Sequence, residues 1–380
     1  MTDKYDAIVV GGGHNGLVCS TLLAQSGKQV LLLEANEQVG GAAVTREFAD
    51  GYSVSACAHL LYNLQPSVRK DLKLRPNLAS EDMMTIALDD DGEHVRIKGD
   101  KVTGAKDGDA ETYKAFHKRM TRFADLLGKY LNKTPPRLGT SDFSDLATLG
   151  RLAFDMRRLG RGEMRTFLRL IGINIHDEVT ERFDSPLLRG ALGFDAVLGT
   201  HLGPRSPNTI MTYLYRLAAG HGRLAVPQGG MGSLAEELAQ AARAAGVTIR
   251  TNMPVGRIVV ENGRVAGVET AGGERFESLT VVSNADPKRT IMELVGTRHV
   301  ETGFTRRIDN IRMRGNAAKL HLALDGLPEF RDLSDANGRL IMAPEMDTIE
   351  FAFDHAKYGE LPEQPVIEAT LPSLRDASLA

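Results

Sequence analysis

The sequence predicts an α/β fold in which a parallel β-sheet is combined with an antiparallel β-meander. Two short apolar runs, at 5–10 and 29–35, flank a stretch with helical spacing, which is the pattern of a βαβ unit. Three strand-like segments follow much later, between residues 255 and 282, and short glycine turns separate them. The first pattern requires parallel strands joined by a helix, and the second requires antiparallel neighbours.

The βαβ unit begins near the N-terminus. Tyr5–Val10 is apolar almost throughout, as in a strand that is covered on both faces of a sheet. Helical spacing begins at Asn15, and Gly27 offers a C-terminal stop for that helix. Gln29–Ala35 then predicts a second buried strand.

Three glycines stand at the turn between the first strand and the helix. In the pattern G-x-G-x-x-G, Gly11 permits the turn, Gly13 admits a pyrophosphate and Gly16 lets the helix pack closely. The free N–H groups of the helix N-terminus favour phosphate binding. Glu34 ends the second strand, where a carboxylate accepts ribose hydroxyls. A plain packing turn beside a solvated glutamate is the alternative, but the order of the elements favours a dinucleotide.

A strand pair and several helices are predicted for the middle of the chain. The strand pair covers 83–98, with its turn at 89-DDDGE-93. The predicted helical segments are 110–132, 146–172, 205–219 and 233–246. A loop rich in proline, glycine and serine separates two of them.

The meander is predicted from three strands and two turns. The strands are Val255–Val260, Val265–Thr270 and Arg275–Val282. Asn262-Gly263 is typical of a type I′ hairpin, and Gly272-Gly273 marks the second turn. Such a meander is unusual in a simple nicotinamide-dependent dehydrogenase.

Composition argues against several classes of protein. The chain has 46 basic and 49 acidic residues and a net charge of −3, so no nucleic-acid partner is expected. Cys19 and Cys57 lack the number and spacing of a disulfide framework or a metal site, and no metal is expected. No apolar run approaches the ~20 residues of a membrane span and no signal peptide is visible, so we expect a cytoplasmic protein. A length of 380 residues predicts about two domains.

Four stretches carry a resemblance to a known family. They are 9-VVGGGHNGLVCSTLLAQSGKQVLLLEANEQVGGAAVTREFADGY-52, 226-VPQGGMGSLAEEL-238, the meander and 283-SNAD-286. They resemble the FAD-dependent amine oxidase and phytoene (carotenoid) desaturase superfamily, most closely the branch typified by pyridine nucleotide-disulfide oxidoreductase domain-containing protein 2. The first stretch is highly specific, and the others support it by their order and spacing. The resemblance thins over 95–190.

The resemblance implies a set of residues that contact FAD. The implied contacts are Gly11, Gly13 and Gly16 for the pyrophosphate, Glu34 for the adenosine ribose, Gly40 and Gly41 for the ribityl-phosphate side, and the backbone of Val255 for the adenine. The neighbouring positions in the implied set are Asn15, Ala35 and Ala42. From the residues alone, Gly40-Gly41 is open to either a ligand approach or a simple turn.

The resemblance also implies the domain organisation. A Rossmann-like FAD-binding domain, with a parallel sheet and a three-stranded β-meander, would be interrupted by an inserted α+β substrate domain. The expected boundaries are 1–80 and 221–300 for the FAD-binding domain, and 81–220 and 301–380 for the substrate domain.

Two departures from the family pattern stand out. Many members carry arginine after the second glycine pair, where this chain has Ala42. The family closes its flavin site with a glycine-rich segment near the C-terminus, whereas this chain has only Gly338 and Gly359 beyond Gly326. We therefore expect a truncated copy that holds FAD weakly or not at all.

No acid–base constellation stands out in the sequence. The low-specificity catalytic candidates are His59, His201, Tyr213 and His221. By resemblance, His59 would fall near the flavin ring and the other three near the substrate chamber. A structural role, with each polar group satisfied by a neighbour, is the alternative for every one of them.

Residues 151–170 carry six arginines against Asp155 and Glu163. A basic amphipathic helix can make peripheral contact with an anionic membrane. A solvated helical face with its apolar residues packed inward is the alternative.

The leading hypothesis is an FAD-dependent oxidoreductase, of dehydrogenase or desaturase type, that acts on a small-molecule, hydrophobic or other organic substrate. The alternatives are a non-catalytic nucleotide-binding regulator or partner-binding protein, and an NAD-dependent dehydrogenase. The sequence does not identify the substrate, the electron acceptor or the oligomeric state.

Overall fold

The computed structural model describes residues 4–380. Its strands, in chain order, are β1 (Ala7–Val10), β2 (Val30–Leu33), β3 (Thr45–Ala49), β4 (Tyr52–Ser55), β5 (Leu78–Ser80), β6 (Thr85–Ala87), β7 (Val95–Lys98), β8 (Lys101–Thr103), β9 (Val226–Pro227), β10 (Thr248–Arg250), β11 (Val255–Glu261), β12 (Arg264–Thr270), β13 (Arg275–Glu277), β14 (Val281–Ser283), β15 (Arg339–Met342) and β16 (Ile367–Ala369). Its α-helices are α1 (His14–Gln25), α2 (Pro66–Asp71), α3 (Asp109–Gly128), α4 (Phe143–Arg158), α5 (Arg161–Gly172), α6 (Ile175–Thr180), α7 (Pro186–Val197), α8 (Thr209–Leu217), α9 (Met231–Ala244), α10 (Thr302–Asp309) and α11 (Met346–Tyr358).

A four-stranded parallel sheet, in the order β10-β2-β1-β14, forms the half of the fold that carries the glycine-rich turn. The N-terminal strand β1 lies in its interior, with β2 on one side and the late strand β14 on the other. All four residues of β1 are buried, as are all four of β2. The predicted βαβ unit and parallel sheet are confirmed.

The two faces of this sheet are covered by different elements. Ile8 and Leu31 point towards the meander and pack with its Phe276, while Val9 and Leu32 point the other way and pack with α1 and α9. Alternate residues of one strand face opposite sides of a sheet, so a strand covered on both faces must be apolar throughout. This is the physical reason for the unbroken apolar runs.

The meander consists of β11, β12 and β13, which pair antiparallel in that order. Asn262 and Gly263 both have positive φ, 50° and 73°, as a type I′ hairpin requires, so the hairpin is confirmed. The prediction of one strand over Arg275–Val282 is wrong. The Ser278 hydroxyl donates to the Thr280 carbonyl and accepts from the Thr280 amide, which ends β13 and redirects the chain into β14.

A second, five-stranded sheet has the order β16-β15-β6-β7-β8. Its inner face shares one large apolar core with the helices between α3 and α8, to which Phe116, Phe123 and Phe183 contribute buried rings. The strand pair predicted at 83–98 is confirmed as β6 and β7, which pair antiparallel. Strand β15 joins β6 from more than two hundred residues further along the chain, and the local pattern around β6 does not predict this pairing.

The predicted helices are confirmed, with one correction. Residues 146–172 form two helices rather than one, because Gly160, between α4 and α5, adopts a φ of 87° that interrupts the helical path. Within residues 4–380, no helix has the length and hydrophobicity that crossing a bilayer would require. The domain boundaries given above stay a proposal.

Candidate flavin-binding and catalytic site

The glycine-rich turn lies at the carboxyl end of β1. Gly13 immediately precedes α1, and the first helical hydrogen bond runs from the Leu17 amide to the Gly13 carbonyl. The preceding amides of the first turn have no partner inside the helix and remain free for an anion. A Cβ at Gly16 would overlap the carbonyl oxygen of Gly11, so only glycine allows the helix to approach the strand this closely.

Glu34 stands beside this turn at the end of β2. Its side chain is buried, with 6% of the residue exposed. Oε2 accepts from the Gly12 amide at 2.7 Å, and Oε1 accepts from the Asn36 amide at 2.9 Å. Oε1 also accepts from Nδ2 of Asn36 at 2.9 Å. A carboxylate can accept about four hydrogen bonds, so capacity remains for one further donor, such as a ribose hydroxyl, at the position that the sequence predicts.

The second glycine pair packs on the first. The Gly40 amide donates to the Gly12 carbonyl at 2.8 Å, and a Cβ on Gly41 would lie 3.1 Å from the Cα of Gly13. Both Gly40 and Gly41 have positive φ. The pair therefore closes one side of the crevice at the glycine-rich turn, and its glycines are needed for backbone packing as well as for any ligand approach.

The remaining predicted cofactor positions border the same crevice. The Met253 amide donates to the Glu34 carbonyl at 2.8 Å and brings the start of β11, at Val255, next to β2. Asn15, in the first turn of α1, and Ala35, just after Glu34, are both exposed. The structure thus brings all ten sequence-predicted cofactor positions to one end of the parallel sheet.

Asn284, for which the sequence predicts no role, also faces the glycine-rich turn. It follows β14, and its side-chain amide packs against the glycines. A Cβ added to Gly13 would lie 2.8 Å from Nδ2 of Asn284, and a Cβ added to Gly16 would lie 3.2 Å from it. Among the described residues, no hydrogen-bond partner is present for this amide group. A free donor that faces three glycines and a helix N-terminus fits a pyrophosphate, and the buried Glu34 fits a ribose, so these residues fit a dinucleotide cofactor.

His59 lies where the half of the fold that contains the parallel sheet meets the second sheet. The Ala58 amide donates to the Ala42 carbonyl at 2.9 Å, which fixes this segment beside the second glycine pair. Lys319 donates to the carbonyls of Ser55 and Cys57 at 2.6 and 2.8 Å and holds it from the other side. Burial lowers the pKa of Lys319, although the charge of Glu368 opposes this shift.

His59 is the first member of a chain of charged side chains. Its Nε2 lies 2.8 Å from Oε1 of Glu368, and Oε2 of Glu368 accepts from Nε of Arg339 at 2.6 Å. Arg339 is fully buried, and its Nη1 lies 2.7 Å from Oδ1 of Asp195. The contact between Arg339 and Asp195 is an ion pair that lacks the geometry of a hydrogen bond. The chain extends to Arg216, 3.3 Å from Asp195.

The charges in this chain stabilise one another. Burial alone would raise the pKa of Glu368, but the hydrogen bond from His59 and the charge of Arg339 outweigh it and hold the pKa at about 2. Burial would lower the pKa of Arg339, and the charges of Asp195 and Glu368 raise it instead. Glu368 is therefore an anion at neutral pH, and it accepts a hydrogen bond from the His59 ring.

A cavity of about 60 Å³ lies inside the second half of the fold, at the other end of this chain. Asp195, Arg216, Tyr213, His117 and His221 are among its lining residues. Tyr213 is 3% exposed, and within residues 4–380 no hydrogen bond reaches its hydroxyl; burial raises its pKa well above the usual value. The volume suits a few water molecules, since sites for organic ligands are typically ~300–1,000 Å³.

The four catalytic candidates do not form one cluster. Tyr213 and His221 share the cavity, and His221 Nε2 lies 2.8 Å from Oδ1 of Asp125 at the surface. His201 packs edge-on against Phe353, with ring centroids 5.4 Å apart, outside this cavity. His59 is connected to the cavity only through Glu368, Arg339 and Asp195. Of the four, His59 alone lies beside the glycine loops.

Glu368 and Arg339 were not singled out from the sequence. They lie on two adjacent strands, β16 and β15, and His59 follows β4 far upstream. Arg339 begins β15, directly before its apolar residues, and this is the one signal that could have identified the pair, since a charge in a buried strand requires a partner.

Comparisons with known proteins agree with this geometry. The sequence profile of the family described as flavin containing amine oxidoreductase matches residues 16–363. The pyridine nucleotide-disulfide oxidoreductase domain-containing protein 2 of Rattus norvegicus is 28% identical over the whole of this chain and 72% of its own length. A zeta-carotene-forming phytoene desaturase of Myxococcus xanthus is 24% identical over 98% of this chain and 69% of its own length.

Solved structures show the same fold. An oxidoreductase from Methanosarcina mazei superposes with a TM-score of 0.51 at 17% identity, over 80% of this chain and 65% of that one. This chain therefore spans about two thirds of the length of that structure. The resemblance inferred from the sequence is confirmed. The chain belongs to the flavin-containing amine oxidoreductase family, a family of FAD-dependent oxidoreductases, and FAD is its cofactor.

Proposed function

We propose that this protein removes hydrogen from a hydrophobic organic substrate, in the manner of a dehydrogenase or desaturase, with FAD as the acceptor. The observation that carries the proposal is the crevice formed by the glycine loops, the buried Glu34 and the free amide group of Asn284. The oxidoreductase class follows from family membership, and the substrate class is proposed here.

The chain's own residues would hold the cofactor by two kinds of contact. The free amides of the first turn of α1, together with Asn284, would bind the pyrophosphate, and Glu34 would accept ribose hydroxyls. Bound FAD supplies the hydride acceptor, so the protein needs to position the substrate carbon and to manage a proton. No residue has to act as a nucleophile.

Two observations support a hydrophobic substrate. The relative from Myxococcus xanthus is described as a phytoene desaturase, and phytoene is a hydrocarbon. Among the described residues, the segment that leads to and follows Lys319 exposes Met313, Leu320 and Leu322 next to the strand pair that precedes His59. Peripheral contact of the chain with a membrane would give it access to such a substrate.

The function can be tested by anaerobic reduction of bound flavin. The purified chain is supplied with excess FAD and mixed with a panel of hydrophobic hydrocarbons, alcohols and amines, while the flavin absorbance is recorded. We expect at least one class to bleach the flavin. FAD that binds but resists every donor would favour a non-catalytic nucleotide-binding protein. Binding of NAD and not of FAD would contradict the proposal outright.

We propose His59 as the group that accepts the substrate proton. In the neutral ring, the hydrogen bond from Nε2–H to Glu368 leaves Nδ1 as the unprotonated nitrogen, and no residue in the described part of the chain bonds to Nδ1. Once the screen has identified a substrate, we expect His59→Gln to slow flavin reduction by that substrate by about 10²-fold or more and to leave FAD affinity unchanged. Stopped-flow absorbance measures the first quantity, and FAD titration the second.

His221→Gln is the matched control for this variant. His221 also lies 2.8 Å from an aspartate oxygen, but its side chain is half exposed and stands apart from the glycine loops. We expect no change in its rate of flavin reduction. A ¹⁵N spectrum that shows the Nδ1–H tautomer of neutral His59, or an equal loss of rate in both variants, would count against the assignment.

A further inference from the structure

Helix α4 lies on the surface with an apolar side turned to solvent. All of its residues are described, and none is buried. Phe143 is 85% exposed, Phe154 60% and Leu146 50%. Exposed large apolar side chains are ordinary when they are scattered, but three on one helix form a continuous patch that calls for a partner.

The geometry of the helix places these side chains together. Phe143 and Phe154 are separated by three turns and share one face, and Leu146 borders it. The opposite face carries Leu152 and Met156, which are half-buried, and Met156 packs against the large apolar core. The inward face of α4 is therefore covered by the rest of the fold, whereas its outward apolar side is exposed to solvent.

Three arginines belong to this outward side or border it. Arg157 lies in the same row as Leu146, three turns further along the helix, and Arg151 and Arg158 lie along the edge beyond Phe154; all three are exposed. Within residues 4–380 none of the three forms a salt bridge, and the Arg158 guanidinium lies 5.9 Å from the centre of the Phe154 ring. We call Phe143, Leu146 and Phe154 with these three arginines the arginine-flanked face.

Acidic side chains are directed away from this face. Asp155 accepts from the Tyr130 hydroxyl at 3.0 Å and lies 3.4 Å from Nζ of Lys129, on the side of α3. Asp142 caps the helix N-terminus by accepting from the Ser144 amide. The chain as a whole has a net charge of −3, so the cationic character is local to this region. Arg161 and Arg165 of α5, both exposed, extend it.

We propose that the arginine-flanked face docks on the surface of an anionic lipid bilayer. In the plane of such a surface, the two phenylalanines and the leucine would enter the boundary between headgroups and acyl chains. The guanidinium groups would lie at the level of the lipid phosphates. Three exposed apolar side chains, with one arginine among them and two along one edge, provide an apolar part for that boundary and cations for the lipid phosphates. The inference goes beyond the proposed oxidation chemistry and does not depend on flavin binding.

The test is flotation of the purified chain with lipid vesicles. One vesicle type contains phosphatidylcholine alone, and the other contains phosphatidylcholine with phosphatidylglycerol. We expect binding to the anionic vesicles only, and weaker binding at high salt, because the arginine contribution is electrostatic. The double variant F143S/F154S should lower the partition coefficient at least about tenfold. The double variant R151Q/R158Q should lower it about fivefold or more for each arginine removed.

A matched control uses exposed aromatic residues elsewhere. Phe351 and Tyr358 of α11 are 62% and 82% exposed, and the double variant F351S/Y358S should bind vesicles as the natural chain does. Circular dichroism confirms folding of each variant. The proposal is overturned by equal binding to both vesicle types, by no binding to either, or by an equal loss of vesicle binding in the control variant.

Self-association that needs Phe143 and Phe154, without vesicle binding, would identify a second copy as the partner instead. Since flavin absorbance is measured separately, failure here leaves the proposed oxidation chemistry untouched.

Discussion

Replacing Arg339 with methionine is expected to lower the free energy of unfolding by about 3–5 kcal/mol. Arg339 is fully buried, and its guanidinium lies within 2.7 Å of both Asp195 and Glu368. Methionine fills a similar volume but removes the guanidinium that the two carboxylates share, so that Glu368 keeps only His59 and Asp195 keeps only the more distant Arg216. Removing one partner of a buried ion pair is costly because the remaining charge is still poorly solvated. Urea unfolding followed by circular dichroism measures the change.

Arg257→Met is the control for the loss of an ion pair. Arg257 lies 2.6 Å from Glu269, but its side chain is 55% exposed, so water replaces the lost partner and little or no change is expected. An equally small effect for Arg339→Met would show that the buried chain of charges does not stabilise the fold.

The stabilisation that Arg339 provides should also depend on pH. Glu368 has an ordinary pKa of 4.5 and a pKa of about 2 in the folded chain, so its stabilisation is complete above pH 4.5 and is lost as the pH falls towards 2. The difference between the natural chain and Arg339→Met should narrow over that interval.

Replacing Gly16 with alanine is expected to abolish FAD binding and to cost about 1–3 kcal/mol of stability. The new Cβ would overlap the backbone carbonyl of Gly11, and a backbone atom cannot rotate out of the way as a side chain can. Helix α1 must therefore move off β1, and its first-turn amides move with it. Fluorescence titration with FAD measures the first effect, and thermal unfolding the second.

Gly150→Ala provides the matched control. Gly150 lies inside α4, and no atom comes within 4 Å of the position that its Cβ would occupy. Alanine should leave FAD binding unchanged and stabilise the helix by about 0.5–1 kcal/mol, because glycine loses more backbone entropy there. If Gly16→Ala binds FAD as tightly as Gly150→Ala does, the close packing of α1 on β1 is not what forms the crevice at the glycine-rich turn.

The half of the fold that carries the glycine-rich turn could be predicted closely from the sequence. Tyr5–Val10 and Gln29–Ala35 become β1 and β2, and the G-x-G-x-x-G turn and Glu34 meet at the end of that sheet. Each of these features is local, because a strand buried on both faces, a helix start and a glycine turn all leave their pattern within a few residues. The type I′ hairpin at Asn262 was predictable for the same reason.

The extent of the third meander strand and the residues that accompany the glycine turn could not be predicted, because they depend on contacts between segments that are far apart in the sequence. The prediction of one strand over Arg275–Val282 failed because Val281 pairs with Ile8, at the opposite end of the sequence, and not with the meander. Asn284 reaches the glycines for the same reason, since β14 carries it to the switch between β1 and α1. His59 gained its carboxylate partner only because β16 lies in the same sheet as β15.

The sequence by itself determined the family and the cofactor, and it predicted where the dinucleotide would lie, because the G-x-G-x-x-G turn is a run of neighbouring residues whose backbone conformation is set locally. Only the tertiary structure decided which side chains accompany that turn. Glu368 and Arg339 became the partners of His59, and the outward side of α4 was left uncovered, through contacts between segments far apart in the chain. The free energy of a buried charge, or of an exposed phenylalanine, depends on what surrounds it in space, and no spacing of neighbouring residues records that.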